Sequence, residues 1–138
     1  MLDCIILGDS IAVGTHTQRT ECLMYAKSGI NSYQWNKTYG NKDLSSGTVI
    51  ISLGTNDHKY VKTEQELLTM RSKVKASRVF WIMPPCNDKF CKENVNDIVK
   101  KIAEAHGDII IGTNRVQADG IHPSWAGYKE LATQTKEK

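Results

Sequence analysis

Short apolar segments alternate with segments of helical periodicity along this chain of 138 residues. The apolar segments are rich in β-branched residues and too short for typical helices, which indicates buried strands. When strands and helices alternate in this way, the strands pair in parallel and the helices cover both faces of the sheet. The sequence therefore predicts one α/β domain over residues 1–138 with a mostly parallel sheet. The predicted strands are 2–7, 22–26, 48–53, 78–83 and 108–112.

The segments between the predicted strands carry helix signals. Thr63 and Glu66 have the spacing of a capping box, and Gly107 is expected to end the following long helix. Ser124 is the expected N-cap of the last helix. The predicted helical segments are 11–18, 32–39, 62–77, 92–107 and the residues after Ser124.

Polar residues follow every predicted strand. The carboxyl ends of parallel strands meet at one edge of a sheet, and ligands of α/β folds bind at that edge. We therefore expect the polar loops to form one rim, although they are far apart in sequence. These loops are 8–10, 28–31, 54–58, 84–87 and 119–122.

The histidines differ in their expected position relative to this rim. His122 follows the last strand region and has a carboxylate, Asp119, three residues before it. That carboxylate can hold one ring nitrogen and leave the other for a hydroxyl group, as in serine hydrolases. His58 also follows a strand and competes for the role of base. His16 and His106 are expected away from the nucleophile.

Ser10 follows the first predicted strand and begins a helix. It is either a helix cap or a nucleophile, and the nucleophile needs a base together with donors for a developing oxyanion. The rim offers three candidate donors: the backbone N–H of Ser10, the backbone N–H of Gly29 and the side-chain amide of Asn56. A helix start favours negative charge because its N–H groups are unpaired.

Three sequence blocks together resemble the SGNH hydrolases, the GDSL-type esterases. The blocks are "GDS" at 8–10, "GTND" at 54–57 and "DGIHPSWAGY" at 119–128, in the order found in the family, with "KSGINS" at 27–32 as a weaker match. The resemblance implies a three-layer, flavodoxin-like α/β/α sandwich with a five-stranded parallel sheet. It also implies ester hydrolysis through an acyl-serine, with Ser10 as nucleophile, His122 as base and Asp119 as its orienting carboxylate. Ser10, Gly29 and Asn56 are the implied oxyanion donors.

The chain departs from the family pattern in two respects. The segment between Ser10 and Gly29 is shorter than usual, so a shifted alignment would place Ser32 at the position of Gly29. No insertion is present that could act as a lid, and the rim sequence offers little apolar surface for a long acyl tail. We therefore expect a small acyl group, acetyl, on a carbohydrate or another polar carrier. The alternatives are a lipase or thioesterase acting on longer chains, and a non-catalytic carbohydrate-binding module.

The substrate site is expected to include His58 and the polar loop with Pro85, Cys86 and Asn87. The chemistry requires no metal and no cofactor. Of the four cysteines, Cys4 and Cys22 lie in apolar runs and are expected to be buried thiols. Cys86 and Cys91 flank a short loop and could form a disulfide under oxidising conditions.

Charge and hydropathy narrow the range of partners. The net charge is +3, and no cluster of Lys and Arg is interleaved with aromatic residues, so nucleic acid is not an expected partner. No apolar run approaches the roughly 20 residues that span a bilayer. No signal peptide is recognised, because a strand-like segment begins almost at Met1. The expected location is therefore the cytoplasm, which would suit an intracellular or phage-encoded enzyme. The sequence leaves the oligomeric state open.

Overall fold

The computed structural model describes residues 3–136 of the chain. Five strands form one sheet in the order β2-β1-β3-β4-β5, and every neighbouring pair is parallel. This order is that of the flavodoxin-like doubly wound folds, in which the strand order reverses beside β1. The strands are β1 (Cys4–Gly8), β2 (Leu23–Ala26), β3 (Ser45–Ser52), β4 (Lys75–Ile82) and β5 (Ile109–Ile111).

Five helices cover the two faces of the sheet. They are α1 (Ser10–His16), α2 (Ser32–Tyr39), α3 (Thr63–Ser72), α4 (Glu93–His106) and α5 (Trp125–Lys136). Helices α1 and α5 pack together on one face, while α2, α3 and α4 lie side by side on the other. The predicted three-layer α/β/α fold is therefore confirmed. Within residues 3–136, no helix has the length and apolar character needed to cross a membrane.

The sheet separates two apolar cores because successive side chains of a strand point to opposite faces. Along β1, Ile5 and Leu7 belong to the core under α2, α3 and α4, whereas Cys4 and Ile6 belong to the core under α1 and α5. All four side chains are buried. A strand buried on both faces reads as a continuous apolar run, which explains why β1 was recognisable from its sequence.

The ends of the helices test the predicted capping signals. Gly107 ends α4 in the left-handed conformation, with φ of +72°. The Ser124 hydroxyl accepts a hydrogen bond from the Gly127 N–H at 3.2 Å, as expected of the N-cap of α5. The predicted capping box at Thr63 and Glu66 is wrong, because α3 begins at Thr63 and its N-cap, Lys62, makes no side-chain capping bond.

A capping box does exist at the start of α2. The Asn31 side chain accepts from the Gln34 N–H at 2.8 Å, and the Gln34 side chain accepts from the Asn31 N–H at 3.0 Å. This pair was not predicted, because its N-cap is Asn rather than the Ser or Thr of the usual motif. The box fixes the chain between β2 and α2, where the Gly29 loop lies.

The cysteines form two disulfides, Cys4–Cys22 and Cys86–Cys91. The expectation that Cys4 and Cys22 are thiols is wrong. Ile5 pairs with Leu23 in the parallel ladder, so Cys4 and Cys22 lie one register position before this pair, with Cα atoms 4.8 Å apart. The cytoplasmic location stays a prediction. The two disulfides are unusual for that location, because such bonds persist in oxidising compartments and are rare in the cytosol.

Candidate active site

The nucleophile candidate stands where β1 turns into α1. Gly8 has a φ of +137°, and a Cβ atom there would collide with the backbone carbonyl of Ser52, so only glycine fits. This close approach lets the Asp9 N–H donate to the Ser52 carbonyl at 2.9 Å. Asp9 then caps α1 by accepting from the Ile11 N–H at 3.0 Å. Ser10 is thereby fixed at the first position of the helix, at the carboxyl edge of the sheet.

Ser10, His122 and Asp119 form a continuous hydrogen-bonded chain. The Ser10 Oγ lies 2.9 Å from Nε2 of His122, and Nδ1 of the same ring lies 2.7 Å from Oδ2 of Asp119. A carboxylate can only accept, so Nδ1 carries the proton and Nε2 is left to accept from the hydroxyl. Serine hydrolases connect a nucleophile, a base and an orienting carboxylate in this same order of contacts.

Asp119 has an exposed side chain and is held ionised by the hydrogen bonds that it accepts. The hydrogen bond from His122 lowers the pKa of the Asp119 carboxyl to about 2, and the backbone N–H groups of Ile121 and His122 contribute further. Both N–H groups donate to Oδ1, at 2.8 and 3.0 Å, which leaves Oδ2 for the imidazole. The turn therefore fixes the carboxylate and ring relative to each other before any substrate is present.

The loop after β3 supplies the amide of Asn56. Its Nδ2 donates to the Ile30 carbonyl at 3.0 Å, which uses one of its two N–H groups. Next to it, the buried Asp57 accepts from the Ser32 N–H at 2.8 Å and from the Ser32 hydroxyl at 2.6 Å. These bonds join the Asn56 loop to the loop between β2 and α2.

The same bonds distinguish between Gly29 and Ser32, the two candidates for the oxyanion donor of that loop. The Ser32 N–H is buried and already bonded to Asp57, so it is not available to an oxyanion. Gly29 is exposed, with φ of +81°, and a Cβ at this position would meet no atom within 4 Å. Its N–H donates no hydrogen bond within the described part of the chain. Gly29 is therefore required for its backbone conformation and is the better candidate donor.

Asp9 is a buried carboxyl directly before Ser10 in the chain. Burial raises its pKa from 3.8 to about 7, against the lowering effect of hydrogen bonds from Ile11 and Ser52. Its Oδ2 has no hydrogen-bond partner among the described residues. Tyr128 of α5 lies nearby with its ring against Gly14. Burial, followed by the negative charges of Asp9 and Asp119, raises the pKa of Tyr128 to about 12.

The remaining histidines do not contact Ser10. His58 is exposed, and its Nδ1 accepts from the Tyr60 N–H at 3.2 Å. His16 contacts the Cys22 carbonyl at 2.9 Å, and His106 contacts the Ile102 carbonyl at 2.8 Å. Of the two rim histidines, the structure brings only His122 to the serine.

The residues expected to shape the substrate site have distinct surroundings. His58 lines a cleft of about 480 Å³ together with Tyr33, Tyr60 and Gln34. Pro85 and Cys86 line another cleft, of about 380 Å³, on the other side of the rim. The remaining candidate, Asn87, uses its amide internally, because Nδ2 donates to the Gly120 carbonyl at 2.8 Å.

Lys92 was not predicted to have a role at the rim. Its ammonium group donates to the Thr55 carbonyl at 2.9 Å and to the Asp57 carbonyl at 2.7 Å, on either side of Asn56. Nothing in the sequence marks this contact, because a lysine at the start of a helix usually faces solvent. Only the packing of α4 beside the loop after β3 brings these groups together.

No known family model and no curated protein matches this sequence. Solved structures do match it. One is a GDSL-like lipase from Bacteroides thetaiotaomicron, with 16% identity, a TM-score of 0.73, and coverage of 98% of this chain and 86% of that one. Another is the C-terminal catalytic domain of peptidoglycan O-acetyltransferase A from Streptococcus pneumoniae, with 18% identity, a TM-score of 0.62, and coverage of 96% and 89%.

A third similar structure is a catalytic mutant of an acetylxylan esterase from Geobacillus stearothermophilus. Its identity is 16%, its TM-score is 0.63, and the match covers 96% of this chain and 91% of that one. These matches cover nearly all of this chain, and its described residues, 3–136, have the fold of the SGNH hydrolases. At these identities the likeness establishes the fold, and the function has to be argued from the site.

Proposed function

We propose that this protein is a serine esterase that hydrolyses a small acyl ester through an acyl-serine intermediate. The observation that carries the proposal is the chain of contacts from Ser10 to His122 to Asp119, at 2.9 and 2.7 Å. A nucleophile, its base and the group that orients the base are thus within hydrogen-bond distance before substrate binds. The SGNH hydrolase fold supports the same class of reaction by analogy.

In the first half-reaction, Ser10 Oγ attacks the ester carbonyl and passes its proton to Nε2 of His122. Asp119 stabilises the imidazolium that forms, because its carboxylate remains ionised at the pH of the reaction. The tetrahedral intermediate then expels the alcohol, which takes the proton from Nε2. The products of this half-reaction are the free alcohol and an acyl group on Ser10.

The carbonyl oxygen becomes negative during this attack and needs donors that are already in place. The N–H of Ser10 at the start of α1, the unpaired N–H of Gly29 and the second N–H of the Asn56 amide serve this purpose. In the second half-reaction, water gives a proton to His122 and attacks the acyl carbonyl. Collapse of that intermediate returns the proton to Ser10 Oγ and releases the acid.

We further propose acetyl as the acyl group and a carbohydrate as its carrier. The cleft beside the Asn56 loop is lined by Tyr33, His58 and Tyr60, and both tyrosine side chains are exposed. Aromatic rings with amide and carboxylate groups nearby suit the apolar faces and hydroxyl groups of a sugar ring. Two of the similar structures bear on acetylated polysaccharides, one an acetylxylan esterase and the other a peptidoglycan O-acetyltransferase.

Labelling by a fluorophosphonate probe tests the catalytic role of Ser10 directly. The wild-type protein is expected to label at a single site, and Ser10→Ala is expected to remove the label while leaving the circular dichroism spectrum unchanged. A wild-type protein that does not label would refute the esterase proposal and favour a binding module.

Substrate selection is tested separately with p-nitrophenyl esters of increasing chain length and with acetylated oligosaccharides. We expect the highest kcat/KM for acetate among the simple esters, and a further gain on an acetylated sugar. A preference for octanoate over acetate would favour the lipase or thioesterase alternative. Tyr33→Ala and Tyr60→Ala should raise KM for the acetylated sugar while leaving p-nitrophenyl acetate unaffected.

A further inference from the structure

The loop between β4 and α4 is closed on itself by the Cys86–Cys91 disulfide. Inside the loop, the Asn87 N–H donates to the Phe90 carbonyl at 2.9 Å. The Asn87 Oδ1 accepts from the N–H groups of Lys89 and Phe90 at 2.9 and 3.2 Å. Segment 86–92 is therefore a compact turn, and its shape depends on groups inside it as well as on its neighbours.

One side of this segment holds the loop that carries Asp119 and His122. The Asn87 Nδ2 donates to the Gly120 carbonyl, and the Lys89 Nζ donates to the Ala118 carbonyl, both at 2.8 Å. Packing is close, since a Cβ on Gly120 would lie 2.7 Å from both Asn87 Oδ1 and Lys89 Cβ. The two bonded carbonyls flank Asp119 in the chain, so the carboxylate is fixed from both sides.

The other side of the segment holds the loop that carries Asn56. The ammonium group of Lys92, which directly follows Cys91, bonds the Thr55 and Asp57 carbonyls at 2.9 and 2.7 Å. Hydrogen bonds from a charged donor are stronger than those between neutral groups. The two carbonyls flank Asn56, just as the carbonyls at Ala118 and Gly120 flank Asp119.

We infer that segment 86–92 is a positioning clamp for the active site. Lys92 positions the loop of the oxyanion donor Asn56. Asn87 positions the loop that carries Asp119 and His122. The Cys86–Cys91 disulfide holds these two contacts at a fixed distance from each other. This inference rests on the esterase function proposed above. It assigns Lys92 and Asn87 as positioning residues that act through Asn56 and Asp119 rather than by touching substrate. Misplacement of a catalytic group by about 1 Å can lower a rate about 100-fold.

The lysine arm of the test compares Lys92→Met with Lys92→Arg and Lys101→Met. Lys101 is a matched control, because it lies in α4, the helix that begins directly after Lys92, and its Nζ bonds Glu64 at 2.8 Å on the exposed surface. Lys92→Met should lower kcat about 10- to 100-fold with KM within twofold of the wild type. Lys92→Arg should recover most of the loss, and Lys101→Met should match the wild type.

A double variant separates positioning from a general loss of stability. If Lys92 acts through Asn56, then Lys92→Met combined with Asn56→Ala should be no slower than Asn56→Ala alone. If the loss of kcat in the double variant equals the product of the two single losses, Lys92 does not work through that amide. The positioning role of Lys92 would then be refuted. Wild-type kcat in Lys92→Met would refute it as well. Failure of the wild type to label with fluorophosphonate is a different result, because it removes the esterase proposal itself.

The disulfide arm uses the second disulfide of the protein as its control. Cys4 is the first residue of β1, so Cys4–Cys22 lies at the edge of the sheet opposite the rim. The variant Cys86→Ser with Cys91→Ser should lower kcat as Lys92→Met does. The variant Cys4→Ser with Cys22→Ser should have the kcat of the wild type under conditions in which it is folded. Equal kcat in the two serine variants, measured below both unfolding transitions, would refute the role of the Cys86–Cys91 bond.

Discussion

Replacing Asp9 by Asn should change how the stability of the protein depends on pH. The Asp9 carboxyl is fully buried, and burial raises its pKa from 3.8 to about 7. Asparagine keeps the Oδ1 acceptor for the Ile11 N–H and the Ser52 hydroxyl, which lie at 3.0 and 3.1 Å, and it cannot ionise. The substitution therefore removes the titration while preserving the cap of α1.

The size of the effect follows from proton linkage. Below pH 3.8 the carboxyl is protonated in both the folded and the unfolded protein, so it adds no pH dependence. Between pH 3.8 and about 7, the unfolded chain has lost this proton while the folded protein still holds it. The free energy of unfolding therefore falls as pH rises, by about 1.4 kcal/mol per pH unit and about 4 kcal/mol across the interval. Above pH 7 both states are ionised and the full loss remains.

Urea denaturation of the wild type and of Asp9→Asn at pH values from 4 to 8 measures this term. Every other titrating group is common to the two proteins, so the difference between their unfolding free energies isolates Asp9. We expect the difference to shift in favour of Asp9→Asn by about 4 kcal/mol between pH 4 and pH 8. A difference that stays constant over this range would refute the argument that Asp9 holds a proton in the folded state.

Two further predictions concern the supports of the rim and the end of a helix. Asp57→Ala leaves the buried N–H and hydroxyl of Ser32 unpaired, so it should lower the unfolding free energy by about 2–5 kcal/mol. Ser32→Ala keeps the backbone N–H bond and leaves only one oxygen of Asp57 unpaired, so it should cost less, about 1–3 kcal/mol. Urea midpoints would measure both, and equal costs would contradict the reasoning. Gly107→Ala should lower stability by about 1–2 kcal/mol through its backbone alone, because its φ is +72° and its Cβ would meet no atom within 4 Å. Thermal unfolding should show a smaller loss for Gly107→Asn, and the opposite order would contradict this assignment.

The fold could be predicted largely because its strands are buried on both faces. Runs such as "CIIL" and "TVII" contain only buried or nearly buried positions, so they stand out without any knowledge of their neighbours. The predicted strand boundaries were less accurate. β3 begins at Ser45 and β4 at Lys75, each three residues before the predicted start, which was placed at the apolar stretch. Those first residues are exposed or half-buried, and their strand conformation comes from pairing with each other rather than from hydropathy.

The Cys4–Cys22 disulfide could not be predicted from the same pattern. A cysteine in an apolar run is equally consistent with a buried thiol, and the separation of 18 residues carries no signal. What joins the two residues is the register of β1 against β2, which places them directly opposite each other. Register in a parallel sheet is set by packing on both faces, and this information is distributed over the whole chain.

The contact between Ser10 and His122 could be predicted, because the strands that precede them end at one edge of the sheet. Their catalytic roles, and that of Asn56, stay predictions. Lys92 and the internal bonds of Asn87 follow no such rule. Their partners are backbone carbonyls of other loops, and any residue could supply a carbonyl, so sequence gives no hint of the pairing.

The bond between Ser10 and His122 joins residues 112 positions apart. A chain emerging from the ribosome exposes Ser10 early, but His122 can reach it only when β5 and the loop after it have joined the sheet. Contacts of such long range form late in folding, after the local ones. Under the esterase function proposed above, the serine would become reactive only when the last part of the fold is complete. A phosphonate probe would then label fully folded molecules and not partly folded ones, so labelling would report the completion of folding.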